Sequence, residues 1–144
     1  MKRLFRTGCL VLAIIMALAA PASASEIANS RASDYFATSS TYLWKTSGTT
    51  FQAWIDITAV EGMQELGASE VRIQRSADGI NWSTMYTYTK ELYPQLIATN
   101  TCTHAAYVTY TGSAGYYYRA FVVYYAKNSS GTGEAYRYTA SLKL

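Results

Sequence analysis

Beyond residue 40 the chain alternates short apolar-rich runs with clusters of Gly and Ser, at a spacing that suits strands. Seven runs stand out, over residues 41–45, 51–59, 70–75, 82–89, 106–111, 116–127 and 135–142. All are rich in Tyr, Thr, Val, Ile and Trp, the residues that fit a pleated, half-buried surface. Period-two alternation is clearest in Glu70-Val-Arg-Ile-Gln-Arg75, which puts Val71 and Ile73 on one face. Turn residues punctuate the runs at Ser47-Gly48, Asp78-Gly79, 111–115 and 128–133. No window after the N-terminal segment sustains a 3.6-residue apolar period. Residues 60–66 are expected to make one helical turn at most. Residues 25–40 are polar, weakly patterned and read as a flexible arm. The pattern predicts an all-β chain: one antiparallel β-sandwich of about seven strands over residues 41–144, with a small β-barrel as the alternative.

The N-terminus follows a different pattern. Lys2, Arg3 and Arg6 precede an apolar run over residues 9–20, and Ala22-Ser23-Ala24 comes next. The run is shorter than the roughly 20 residues a membrane-crossing helix needs. Its order of basic, apolar and small residues is that of a secretory signal peptide over residues 1–24, cleaved between Ala24 and Ser25. Secretion without later membrane insertion is the expectation.

Cleavage changes the charge. Three of the 12 basic residues leave with the leader, so nine face nine acidic ones and the full-chain charge of +3 falls to zero. No basic footprint remains to attract phosphates, and nucleic acid is excluded as a partner on that ground. Cys9 leaves as well. Cys102 then stands alone, expected to be buried or half-buried, and no internal disulfide can form. The remaining 120 residues must be held by their core, and suffice for one domain. Asn81-Trp-Ser83 and Asn128-Ser-Ser130 match the N-glycosylation acceptor pattern, which matters only in a eukaryotic source.

Catalytic chemistry finds little to use. Glu61 and Glu65 share one segment, but a glycosidase needs two carboxylates facing one cleft. Cys102 and His104 lie two apart and can share a strand face. However, no third group is evident to orient the imidazole, and no helix start to lower the thiol pKa. One His and one Cys do not make a zinc site, and no Asp-rich calcium loop or phosphate-cradling glycine loop occurs. The chain is therefore expected to be no enzyme and to need no cofactor or metal.

Ser76-Ala-Asp-Gly-Ile-Asn-Trp82 lies between two alternating runs. Asp-Gly is a strong turn signal, and a hairpin accounts for every residue. The spacing resembles the Asp-box of sialidase-like propellers, with one residue fewer between Asp and Gly. It occurs once, and 120 residues cannot supply several blades. With its flanking strands the stretch resembles the C to C′ hairpin of fibronectin type III-like sandwiches. Likewise Tyr118-x-Ala120-x-Val122-x-Tyr124 resembles strand F, with Tyr118 at the tyrosine-corner position. Taken together, Leu66-Gly-Ala-Ser69, residues 73–82, and Gly115-Tyr-Tyr-Tyr-Arg-Ala120 with Tyr125-Ala126 are similar to a family of small exported bacterial proteins of unknown function, over most of residues 50–138. The resemblance implies an immunoglobulin/fibronectin type III-like sandwich and carries no activity. The chain departs from an ordinary type III domain in lacking a proline-rich first strand and in its long 90–103 connection.

Aromatic residues are the strongest remaining feature: 20 follow the leader, and 14 of these are Tyr. Residues 116–125 are apolar on both faces. With Tyr118, Ala120, Val122 and Tyr124 inward, Tyr117, Arg119, Phe121, Val123 and Tyr125 point outward, beside Arg72 and Gln74. The candidate binding residues are Tyr117, Arg119, Phe121, Tyr125 and Arg72. Such a face suits a protein partner or self-association, since Tyr and Arg concentrate at binding hot spots. Alternatively it suits an extracellular glycan, by stacking on sugar rings. A cover of residues 90–103 or of the N-terminal arm is the other arrangement the pattern allows. The functional expectation is an exported non-catalytic interaction module, with a carbohydrate- or cell-wall-binding module as the alternative.

Overall fold

β-Branched and aromatic residues set the architecture. The computed structural model describes residues 34–144, three-quarters of them in strands and none in an α-helix. The segment expected to be a signal peptide, with its Ala24–Ser25 junction, lies outside the described residues. Seven strands follow in order: β1 (Phe36–Ser47), β2 (Thr50–Ser76), β3 (Ser83–Thr89), β4 (Ile97–Thr111), β5 (Tyr117–Asn128), β6 (Gly131–Tyr138) and β7 (Leu142–Lys143). A 3-10 turn at Pro94–Leu96 leads into β4. All pairings are antiparallel.

The spine is β2, 27 residues long. Its first half lies between β1 and β4. Its second half lies between β3 and β5, and β5 carries β6 and β7 on its far side. The ladder is continuous from β1 to β6, so the chain forms one strongly curled sheet, a half-barrel. Two separate sandwich sheets are not resolved, because β2 belongs to both halves.

The strand number matches the expectation, but the strands differ. Runs 51–59 and 70–75 are both parts of β2, and run 135–142 divides between β6 and β7. Residues 60–66, expected to hold a helical turn, continue β2 because a threonine-rich partner lies opposite: Met63 faces Thr101 and Glu65 faces Thr99. That partner, within the expected 90–103 connection, is the start of β4. Between Thr58 and Met63 the register jumps, so β2 bulges away from β4 opposite Cys102, while Ala59 stays buried and paired with Phe36. This end of β4 projects beyond the core, and Cys102 is exposed instead of buried. Residues 36–40, assigned to the arm, are already strand, paired with β2.

Alternate side chains build the core. Phe51, Ala53, Ile55 and Ile57 point inward from the first half of β2. Further along β2 the buried face falls on Leu66 and Ala68, then on Val71 and Ile73. The second change coincides with the register shift between Ala68 and Glu70. An extra residue in one strand moves the following side chains to the other face. From β5, Tyr118, Ala120, Val122 and Tyr124 point inward as the alternation requires, joined by Ala126. Each large apolar side chain buried here contributes about 1.5–3 kcal/mol.

Gly67 permits the bend in β2. A Cβ on it would stand 1.9 Å from the Leu96 carbonyl oxygen. The 3-10 turn therefore seats directly on the β2 backbone and drives Leu96 into the core. Three buried tyrosines then tie the curl with their hydroxyls. Tyr88 donates to the Thr109 carbonyl at 2.7 Å, Tyr118 accepts from the Ser113 N–H at 2.8 Å, and Tyr124 donates to the Ser40 carbonyl. The Tyr118 bond has the form of a tyrosine corner. On the open side of the curl, Arg137 Nε donates to Ser39 Oγ at 2.6 Å and links β6 to β1.

Two substitutions probe this arrangement. Gly67→Ala is expected to cost at least about 2 kcal/mol, since overpacking against backbone typically costs 1–3 kcal/mol and here the turn itself must move. Tyr118→Phe is expected to cost about 1–2 kcal/mol by leaving the Ser113 N–H without its acceptor. Urea midpoints at unchanged m-value measure both. Equal and negligible losses would show that neither contact holds the curl.

Candidate functional site

The Ser76–Trp82 stretch is a turn. Asp78 accepts from the Ile80 and Asn81 backbone N–H groups, both at 2.8 Å, and from Asn81 Nδ2 at 2.7 Å. Ser76 Oγ donates to the same carboxylate at 2.8 Å and accepts from the Gly79 N–H at 2.8 Å. These bonds hold the Asp78 carboxyl well below its ordinary range, with the Asn81 and Ile80 N–H groups the chief causes. The carboxylate is thus engaged by the turn's own backbone and side chains. The turn also delivers Trp82 to the outer face of the sheet.

There the ladder brings Arg72, Arg119 and Phe121 together, while Tyr117 and Tyr125 lie towards the two ends of the same β5 face. Arg72 faces Phe121, Gln74 faces Arg119, and Phe121 faces Tyr138 across three adjacent strands. Tyr117, Arg119, Phe121 and Tyr125 are all half-buried, while Arg72 is exposed. They share a face with Tyr136 and Tyr138 of β6, which the sequence reading did not single out. The period-two pair Tyr136-Arg-Tyr138 was the available signal, but its face depends on the β5–β6 register.

Cations and rings alternate over this face. The Arg119 guanidinium lies 4.3 Å from the Trp82 ring and 4.3 Å from the Tyr138 ring, and its Nε donates to Gln74 Oε1 at 2.8 Å. Burial lowers the Arg119 pKa, against the opposing influence of Tyr138. Arg72 caps Phe121 at 5.4 Å, Lys90 caps Tyr125 at 3.8 Å, and Lys143 caps Tyr117 at 5.1 Å. Phe121 in turn stacks against Tyr136 at 5.9 Å and meets Tyr138 at 4.8 Å. Arg72 is also paired with Glu70. The negative charge of Glu134 raises the Tyr136 pKa. Lys90 aside, residues 90–103 do not cap these rings, since most of that segment is β4 and the 3-10 turn.

The groups weighed for catalysis are directed elsewhere. His104 Nε2 bonds the Gln95 carbonyl at 3.0 Å, and among the described residues no hydrogen bond joins it to Cys102. Glu61 accepts from Asn128 Nδ2 at 2.8 Å, whereas Glu65 faces Lys90 at 3.5 Å and Lys127 at 3.8 Å. Among the described residues no three His, Cys, Asp or Glu side chains group as metal ligands would. A second aromatic row, Tyr42–Trp54–Tyr107, crosses the other half of the sheet and was not anticipated. Comparison with family models, curated proteins and solved structures finds no match to this chain.

The Asp78 turn has a pH signature. A carboxyl whose pKa is depressed by folding adds stability above its unfolded pKa of about 3.9, and that stability is lost as pH falls through the folded value. Asp78→Asn is therefore expected to lower stability at neutral pH and to flatten the acid dependence below about pH 4. Urea unfolding at neutral and acid pH measures the difference. An acid limb identical in both proteins would mean that Asp78 is not the titrating group.

Proposed function

We propose that the protein is an exported, non-catalytic interaction module whose β2–β5–β6 face docks a protein partner, a second copy of the chain included. Export rests on the N-terminal signal pattern. An immunoglobulin/fibronectin type III-like build is supported by the Tyr118 corner contact and by a strand order in which β2 joins two halves around one core. The half-barrel curl equally supports the small-barrel alternative.

The observation that carries the reading is the clamped guanidinium of Arg119. An Arg held between Trp82 and Tyr138 and fixed by Gln74 has already lost most of its rotamer freedom. Preorganised Arg, Trp and Tyr side chains are the usual anchors of protein interfaces, because binding costs them little further entropy. The surrounding charges are Arg72, Lys90 and Lys143 against Glu70 and Glu134, which favours a partner surface that is acidic on balance. The same face is less suited to sugar stacking. Tyr117, Phe121 and Tyr125 each already carry a cation near the ring.

The test is saturable binding of labelled protein to intact source cells, before and after surface proteolysis, with sedimentation velocity to detect self-association. Protease-sensitive binding or a dimer is expected, weakened by about tenfold or more in Arg119→Ala, as for a hot-spot residue. An absence of both protease-sensitive binding and self-association, or an Arg119→Ala variant in which they match wild type, would overturn the proposal.

A further inference from the structure

On the opposite half of the sheet the surface has different chemistry. Tyr42, Trp54 and Tyr107 are register partners on β1, β2 and β4, on the face turned away from the core. The Tyr42 and Trp54 rings are parallel within 3° at 6.2 Å, and Trp54 and Tyr107 are 4.7 Å apart. Tyr42 and Tyr107 are 47% and 44% exposed. Trp54 is held in place, because its Nε1 donates to Gln52 Oε1 at 3.0 Å.

From this row a groove runs round the edge of β4. One hollow of about 720 Å³ is lined by Trp54, Tyr107, His104 and Gln95, among others. A second, of about 360 Å³, shares Gln95 and Tyr107 and continues to Tyr86 and Tyr93. The far wall is fixed. His104 bonds the Gln95 carbonyl, and the Tyr86 and Tyr93 hydroxyls bond one another at 2.8 Å. That bond is the main cause of a raised Tyr93 pKa, so its hydroxyl remains protonated at neutral pH.

We propose that this groove binds a neutral glycan chain. The occupant follows from charge. No Asp, Glu, Lys or Arg lines either hollow, in contrast to the β5–β6 face with its four capping cations. A charged ligand entering here would lose solvation without gaining an opposite charge. A wholly apolar ligand would leave the phenol, amide and imidazole groups unpaired. A sugar chain satisfies both, because it offers apolar C–H faces to aromatic rings and hydroxyls to the phenol, amide and imidazole groups. The two hollows adjoin at Gln95 and Tyr107, and their volumes of about 720 and 360 Å³ leave room for more than one sugar unit. An added peptide strand fits less well. It would compete along the β4 edge with the Tyr88 hydroxyl, which already occupies the Thr109 carbonyl. The inference does not rest on the protein-facing reading of the β5–β6 face.

The experiment is calorimetric titration of the purified protein with neutral hexasaccharides of β-glucose, α-glucose, xylose and N-acetylglucosamine. Polygalacturonate serves as the charged comparison. Binding of at least one neutral chain is expected, insensitive to salt because no ion pairs form. Trp54→Ala and Tyr107→Ala should each weaken it by about tenfold or more, as loss of an aromatic anchor does. Tyr93→Phe, which removes one hydroxyl and leaves the ring, should weaken it less. Phe121→Ala, on the other face, should leave it unchanged, and thermal melts confirm that each variant is folded. The proposal is overturned if no neutral chain binds, if binding persists in folded Tyr107→Ala, or if only polygalacturonate binds and salt abolishes it. Failure of Arg119→Ala to alter cell binding would leave this result untouched, so the two readings fail separately.

Discussion

A 27-residue strand cannot run straight through a domain of this size. At ~3.3 Å per residue it would extend ~90 Å. A folded chain of this length has a radius of gyration of only about 13 Å. Thus β2 must bend, and the rest of the architecture depends on where it does so. The register breaks at residues 59–62 and again between Ala68 and Glu70, where the buried face also changes. Gly67 is the tightest point, with the Leu96 carbonyl where a Cβ would be. Because one strand supplies both halves, folding either half positions the other. Pairing resumes beyond each break, so β2 stays one strand where two separate sheets would have exposed edges.

The bend also sorts the outer surface. Before it, the β1–β2–β4 half carries Tyr42, Trp54 and Tyr107, and no Asp, Glu, Lys or Arg lines the groove that continues from them. After it, the β2–β5–β6 half carries rings capped by Arg72, Lys90, Arg119 and Lys143. The overall composition conceals this contrast, since the charges are unevenly placed. Surface chemistry of two kinds on one curled sheet supports two kinds of contact, and the aromatic content alone does not distinguish them.

Local signals were legible in the sequence, and pairings were not. Asp78-Gly79 announced its turn, and the hydrogen bonds around Asp78 are those such a residue makes. Alternation in 118–124 identified the buried face of β5, and its complement identified Arg119 and Phe121 as outward. Residues 60–66 were misjudged because Val60, Met63 and Leu66 satisfy a helical spacing as readily as a distorted strand. Only the threonine-rich partner in β4 decides between them, and that partner has weak apolar alternation of its own. Cys102 was misplaced for the same reason, as its exposure follows from the bulge opposite it. Trp54 was placed in a strand correctly, but its row needs Tyr42 and Tyr107 in register, which is a relation between distant segments.

A curled sheet whose described part has a single, exposed cysteine must hold its shape without a disulfide there, and tyrosine explains how. Phe would bury the same ring, but it could not bond the backbone on the far side of the core. Tyr88, Tyr118 and Tyr124 each fill core volume and direct a hydroxyl to Thr109, Ser113 or Ser40. These bonds join β3 to β4, β5 to the loop before it, and β5 to β1, so they link elements that share no ladder. Desolvation raises the Tyr88 pKa to about 12, and it raises that of Tyr124 as well. Both hydroxyls therefore remain protonated donors over the whole neutral range. No buried side-chain nitrogen or oxygen among the described residues lacks a partner, so this polar wiring carries no desolvation penalty left unmet. The abundance of tyrosine thus has a structural cause as well as a surface one. Inside, the residue ties the curl, and outside, it supplies the rings of two chemically distinct faces.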